Sequence, residues 1–104
     1  MVSLLALSTV FAALAGYVDV KKGGKVIGGL QYSYRLQSSS TGCFVTVNIT
    51  NQTDEFVRGR ITGTGTSRSC GDSFRVKPHG NVEVVFGCSE TPSDVILEYV
   101  SVEN

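Results

Sequence analysis

Hydrophobic and polar positions alternate along most of this chain, and the alternation is absent only at its start. Met1 to Gly16, MVSLLALSTVFAALAG, carries no charge and is largely apolar, whereas everything after Asp19 is polar, glycine-rich and patterned with a period of two. Successive side chains of a strand point to opposite faces, so that period marks half-buried strands. Lys25 to Gln37 is the longest case: Leu30, Tyr32, Tyr34 and Leu36 take one face, and Gln31, Ser33, Arg35 and Gln37 take the other. Gly28 and Gly29 within it signal a bulge or bend. A short strand over Tyr17 to Val20 precedes it, stopped by Lys21-Lys22-Gly23-Gly24.

The pattern then repeats. After the polar loop Ser38 to Gly42, the segment Phe44 to Thr50 sets Val45, Val47 and Ile49 against Thr46, Asn48 and Thr50. Asn51 to Glu55 reads as a turn, and Phe56 to Thr64 returns with Val57 and Ile61 inward and Arg58 and Arg60 outward. Gly65 to Asp72 forms a loop, Phe74 to Lys77 alternates, Pro78 to Asn81 turns the chain, and Val82 to Phe86 comes back as the other arm of a hairpin. Asp94 to Val102 is a last strand with Val95, Leu97 and Tyr99 on one side. About seven strands at roughly 8–12-residue intervals, with no helical pattern after the apolar start, suit a two-layer sandwich or a small barrel. We take the fold as an all-β antiparallel β-sandwich, Ig-like in layout, although the Cys…Trp…Cys signature of true immunoglobulin domains is missing. Its expected core is Val45, Val47, Ile49, Ile61, Phe74, Val76, Val84, Phe86 and Leu97.

The apolar start has two readings. An apolar stretch of roughly 7–15 residues ending in small residues is the mark of an export signal, and Ala13-Leu14-Ala15 before Gly16 fits the cleavage rule. On this reading residues 1–16 are a signal peptide and 17–104 the domain, secreted to the cell exterior. The n-region lacks the usual Lys or Arg, so the alternative is a retained hydrophobic helix. Fifteen residues at 1.5 Å each reach only about 22 Å, short of the ~30 Å hydrocarbon core, so no stable membrane span is expected. Such a helix suits assembly with identical subunits, with Val2, Leu5, Phe11 and Leu14 as its packing residues.

Charge narrows the function classes. Nine basic and nine acidic residues sum to zero, so there is neither a basic field for nucleic acid nor a polybasic cluster for an anionic membrane. Three cysteines in a short exported chain imply one disulfide and one leftover thiol. In a hairpin about the Pro78 to Asn81 turn, Cys70 and Cys88 fall on opposing strands within one residue of register, inside disulfide range. Cys70–Cys88 is therefore favoured, with Cys43–Cys88 as its rival in the form of a link between sheets. Asn48-Ile49-Thr50 and Asn51-Gln52-Thr53 are consecutive glycosylation sequons, which makes Asn48 and Asn51 candidate acceptors in a glycosylating host.

Residues able to carry chemistry are few. His79 is the single histidine and lies in a turn. Asp54, Glu55 and Asp72 match no calcium-loop spacing. Gly63-Thr64-Gly65-Thr66 lacks the Lys-Ser/Thr and the helix that a phosphate loop needs. No catalytic, cofactor-binding or metal-ligating set can be assembled, so the chain reads as a non-enzyme without a cofactor. Arg58, Arg60 and Arg75 form a candidate interaction patch if their strands are neighbours.

An apolar leader, a short mature chain, seven short strands and Cys43 and Cys88 at wide spacing resemble the small β-sandwich effectors secreted by fungi. The uncharged apolar start, with Leu5 where bacterial pilins carry a glutamate, followed by a Thr/Gly-rich sequon-bearing β domain, also resembles archaeal type IV pilins. Export, a disulfide-stapled β scaffold, neutral charge and the lack of a catalytic set make the leading expectation a non-catalytic extracellular module that binds a protein or glycan partner through an exposed sheet face or loop. The alternative is a structural subunit of an extracellular filament, whose retained N-terminal helix packs among identical subunits.

Overall fold

Turn chemistry decides how the strands connect. The computed structural model describes residues 14–103, and the chain runs β1 (Leu14–Lys22), β2 (Lys25–Ser39), β3 (Gly42–Asn51), β4 (Val57–Thr64), β5 (Cys70–Val76), β6 (Asn81–Cys88) and β7 (Asp94–Val102). Gly23 and Gly24 join β1 to β2 with φ of 60° and 81°. Two successive positive-φ residues make the turn whose twist matches antiparallel strands, and only glycine adopts it without strain. Ser40 and Thr41 alone separate β2 from β3, with Ser39 opposite Gly42. Both connections are too short to leave a sheet, so β1, β2 and β3 form a meander.

The sheets are ordered β1-β2-β3-β6 and β5-β4-β7, and every strand pair is antiparallel. No helix occurs among the described residues. The immunoglobulin arrangement places its third strand in the second sheet, beside the sixth. Here the two-residue turn holds the third strand beside the second, so the expected Ig-like layout is corrected. Leu14, expected in an assembly helix, instead opens β1, its backbone paired with Tyr34. Val2, Leu5 and Phe11 lie outside the described residues. The bulge signalled by Gly28 and Gly29 is present: Val20 pairs with Gly28 but Lys21 with Val26, leaving Ile27 as the extra residue.

One core is shared by both sheets. Val20, Leu30, Val45, Val47 and Ile49 from the first sheet pack in a single cluster with Val57, Ile61, Phe74, Val76 and Val95 from the second. Of the expected core, Val84 alone is partly rather than fully buried. Two tyrosines tie the layers with polar contacts. The Tyr34 hydroxyl donates to Asp94 Oδ1 at 2.8 Å and the Tyr32 hydroxyl donates to the Val95 carbonyl at 3.2 Å. Burial, followed by the hydrogen bond to Asp94, pushes the Tyr34 hydroxyl up to about 12.

Cys70 and Cys88 are joined, with Cα atoms 5.2 Å apart, but not as arms of a hairpin. β5 and β6 belong to different sheets, so the 77–80 turn carries the chain across the core and the bond bolts the two layers together. The ladder partner of Cys88 is Cys43, within the first sheet. Cys43 keeps a free thiol and is only 2% exposed, which closes it to pairing between molecules. Gly63 makes room for the bolt: a Cβ there would stand 2.8 Å from Cys70 Sγ and 3.3 Å from Cys88 Sγ.

Candidate binding site on the outer face of the three-stranded sheet

β4 is the central strand of its sheet, and its alternation sends Val57 and Ile61 into the core and Arg58 and Arg60 out. Arg58 stands opposite Arg75 of β5 and Ser101 of β7, while Arg60 stands opposite Ser73 and Glu98. The three arginines of the expected patch thus lie on one face, in two adjacent cross-strand rows. They line a surface groove of about 660 Å³ with Ser73, Ser101, Tyr99 and Glu103, and Gly59 and the largely buried Phe74 also border it.

The arginines are not equivalent. Arg75 Nε donates to both Glu103 carboxylate oxygens, at 2.7 and 2.8 Å, and its guanidinium lies 4.3 Å above the Phe56 ring. The hydrogen bond from Arg75 holds the Glu103 carboxyl below the usual carboxylate range, and the charges of Arg75 and Arg58 add to it. Among the described residues neither Arg58 nor Arg60 has an ion-pair partner. Like charges directly opposite each other on a ladder repel. Glu103 relieves that repulsion on the Arg75 side and leaves Arg58 and Arg60 with open guanidinium donors.

Tyr99 departs from its expected position on the side of Val95 and Leu97. The ladder between β4 and β7 slips at Arg58 to Arg60, so that Tyr99 and Val100 together face Gly59. At that bulge Tyr99 adopts φ of 55° and is 79% exposed, its ring turned to the groove instead of the core. The left-handed region is uncommon for a bulky residue, and bulges re-aim side chains beside functional sites. The signal was in the sequence. Apolar positions run Val95, Leu97, then Val100, Val102, a change of phase that requires one extra residue between them.

The other candidates separate. Asn48 is exposed on the outer face of the first sheet, opposite Ser33 and Glu83. Asn51 is 1% exposed and fully engaged. Its Nδ2 donates to the carbonyls of Glu55 (2.7 Å), Lys77 (3.1 Å) and Val76 (3.3 Å), and its Oδ1 accepts from Thr53 N (2.9 Å) and Thr53 Oγ1 (2.8 Å). The folded chain has no room for a glycan there, so the second sequon is corrected to a structural turn. His79 sits in the 77–80 turn with φ of 53° and bonds Asp54 through Nε2, both side chains exposed. Among the described residues no cluster of three or more His, Cys, Asp or Glu side chains is placed to hold a metal ion, and no helix is long and apolar enough to cross a membrane.

Comparison with protein-family models, with characterised proteins and with solved structures returns no match.

Proposed function

We propose that this chain is an exported β-sandwich binding module, without catalytic activity, that holds an acidic group of an extracellular protein or glycan partner on the outer face of the β5-β4-β7 sheet. The carrying observation is the pair of uncompensated guanidinium groups, Arg58 and Arg60, beside an aromatic ring held outward by a bulge. Residues kept in sparsely populated backbone regions persist only where the surrounding structure over-determines them, and they concentrate at ligand-contacting sites. Arginine forks match carboxylate and sulfate geometry through two parallel hydrogen bonds, which orients a partner as well as attracting it. The bolt between sheets supports the extracellular setting, since structural disulfides persist in oxidising compartments.

The test is retention of the labelled chain on surfaces bearing acidic or neutral glycans and acidic or neutral peptides. The double variant Arg58→Glu, Arg60→Glu changes only outward side chains and leaves the core intact. Retention on acidic surfaces is expected to fall at least tenfold with circular dichroism unchanged. Equal retention of the variant and the parent chain, or turnover of any of these probes, refutes the reading.

A further inference from the structure

The groove favours one chemical class of partner, and this inference rests on the binding face proposed above. We infer that its ligand is an oligosaccharide carrying an acidic group, a carboxylate or a sulfate, rather than an acidic peptide. Three features of the face carry the argument.

The first is the backbone. An extended peptide docks on a sheet chiefly by adding a strand to a free edge. β4 has no free edge, because it is hydrogen-bonded to β5 on one side and to β7 on the other. The free edges of this sheet belong to β5 and β7 at the groove's flanks, so a peptide lying in the groove itself, over β4, meets side chains only. The second is the absence of an anchor pocket. Protein interfaces draw most of their energy from a few Trp, Tyr and Arg side chains packed into fully desolvated pockets. Here Phe56 lies outside the groove lining with Arg75 stacked over its ring, and Phe74 is a core residue only 5% exposed.

The third is the match to a sugar. Arg58 and Arg60 project from the same strand face about 6.6–6.8 Å apart along the chain, close enough to grip one carboxylate or sulfate from two sides. The groove, at about 660 Å³, is far larger than one such anion, so the ligand has a neutral body beside its charge. That body meets the Tyr99 ring and the Ser73 and Ser101 hydroxyls. A flat ring beside hydroxyl donors and acceptors complements a sugar, which presents C–H faces and hydroxyls together.

The experiment titrates the intact, ¹⁵N-labelled chain at low salt with tetragalacturonate, with its methyl ester, with a monosulfated tetrasaccharide, with a neutral tetrasaccharide and with tetraglutamate. Amide shifts centred on Arg58, Arg60, Tyr99 and Ser101 are expected with at least one of the two acidic saccharides. The carboxylate and sulfate arms identify which acid is bound. The neutral saccharide, and the ester wherever the carboxylate binds, are expected to be at least tenfold weaker, as is tetraglutamate. Tyr99→Ala is expected to weaken the acidic saccharide about tenfold with the fold intact by circular dichroism. Arg35→Gln, on the outer face of the other sheet, is expected to leave binding unchanged.

Tetraglutamate binding as tightly as the saccharides, with Tyr99→Ala without effect, overturns the saccharide class and leaves the binding face standing. Failure of both acidic saccharides to shift these amides also overturns the inference. Saccharide binding that survives Arg58→Glu, Arg60→Glu overturns the face itself.

Discussion

Replacing Asn51 with Ala tests whether this side chain is the knot that fastens the 52–56 loop to the end of β5. The two amide hydrogens of Asn51 serve three carbonyls, and its oxygen accepts from both the backbone and the hydroxyl of Thr53. After truncation the Thr53 hydroxyl still reaches the Glu55 carbonyl at 3.2 Å, and the Lys77 carbonyl still accepts from Gly80 N at 3.0 Å. The buried Thr53 N–H has no such substitute, and an unsatisfied buried donor costs about 1–3 kcal/mol, with roughly 1 kcal/mol more for each further net bond lost. The expected loss is therefore about 3 kcal/mol. In a domain this small that lowers Tm by roughly 12–24 °C. Asn51→Asp sharpens the test, because a carboxylate would face the carbonyls of Glu55, Val76 and Lys77 with no hydrogen to give. Its folded pKa must rise above the unfolded value of about 3.9. Between those two values the folded state holds the extra proton, so stability falls as pH rises. Urea unfolding at pH 3 and pH 7 is expected to find the Asp variant close to the Ala variant at the lower pH and well below it at the higher. A loss under about 1 kcal/mol for Asn51→Ala, or an Asp variant indifferent to pH, refutes the reasoning.

Three further outcomes are expected. Tyr34 is buried and bonded to Asp94, with its hydroxyl pushed up to about 12. Burial, with the charge of Asp94 adding to it, also raises Tyr32, so absorbance titration is expected to show Tyr34 and Tyr32 ionising later than an exposed tyrosine. The folded state keeps the Tyr34 proton where the unfolded chain loses it, so stability is expected to fall as pH rises from about 10 through about 12; Tyr34→Phe should reduce that slope, with Tyr32 supplying the remainder. Gly63→Ala brings a methyl group to 2.8 Å from Cys70 Sγ and 3.2 Å from Pro92 Cβ, which overpacking puts at about 1–3 kcal/mol by denaturant unfolding. In a glycosylating secretory host, mass spectrometry is expected to find glycan at Asn48 alone, and Asn48→Gln should remove it without loss of fold.

The strand pattern was legible because solvent and core impose opposite demands on alternate residues. That constraint is local, and it located β2, β3, β4 and β7 to within a few residues. Which strands share a sheet depends instead on connections, and here the reading failed in an instructive way. The Pro78 to Asn81 turn has the composition of a hairpin turn, yet the backbone of Asn51 donates to the Gly80 carbonyl and that of His79 donates to the Thr53 carbonyl. The turn is docked on the neighbouring loop, and the chain leaves it in the other sheet. Cys70–Cys88 was thus the right pair for a mistaken reason, since both cysteines are brought to one end of the core from opposite layers. The arginine patch was half visible. Alternation placed Arg58, Arg60 and Arg75 outward, whereas their adjacency required the register of two ladders. Tyr99 was misplaced because a period-two count cannot absorb a bulge unless the phase change after it is noticed. Asn51 shows the opposite limit: a sequon describes three residues, while burial is set by partners 25 and 26 positions away.

The bolt between the layers has a mechanical consequence. It closes a loop with a sequence separation of 18 and holds its ends 5.2 Å apart. At about 3.3–3.6 Å per extended residue, roughly 60 Å of contour is withheld from any force applied to the two chain ends. An oxidised molecule under tension can shed β1 from the edge of its sheet and still keep the layers tethered through β5 and β6. A reduced one has no such stop and is drawn out to its full length.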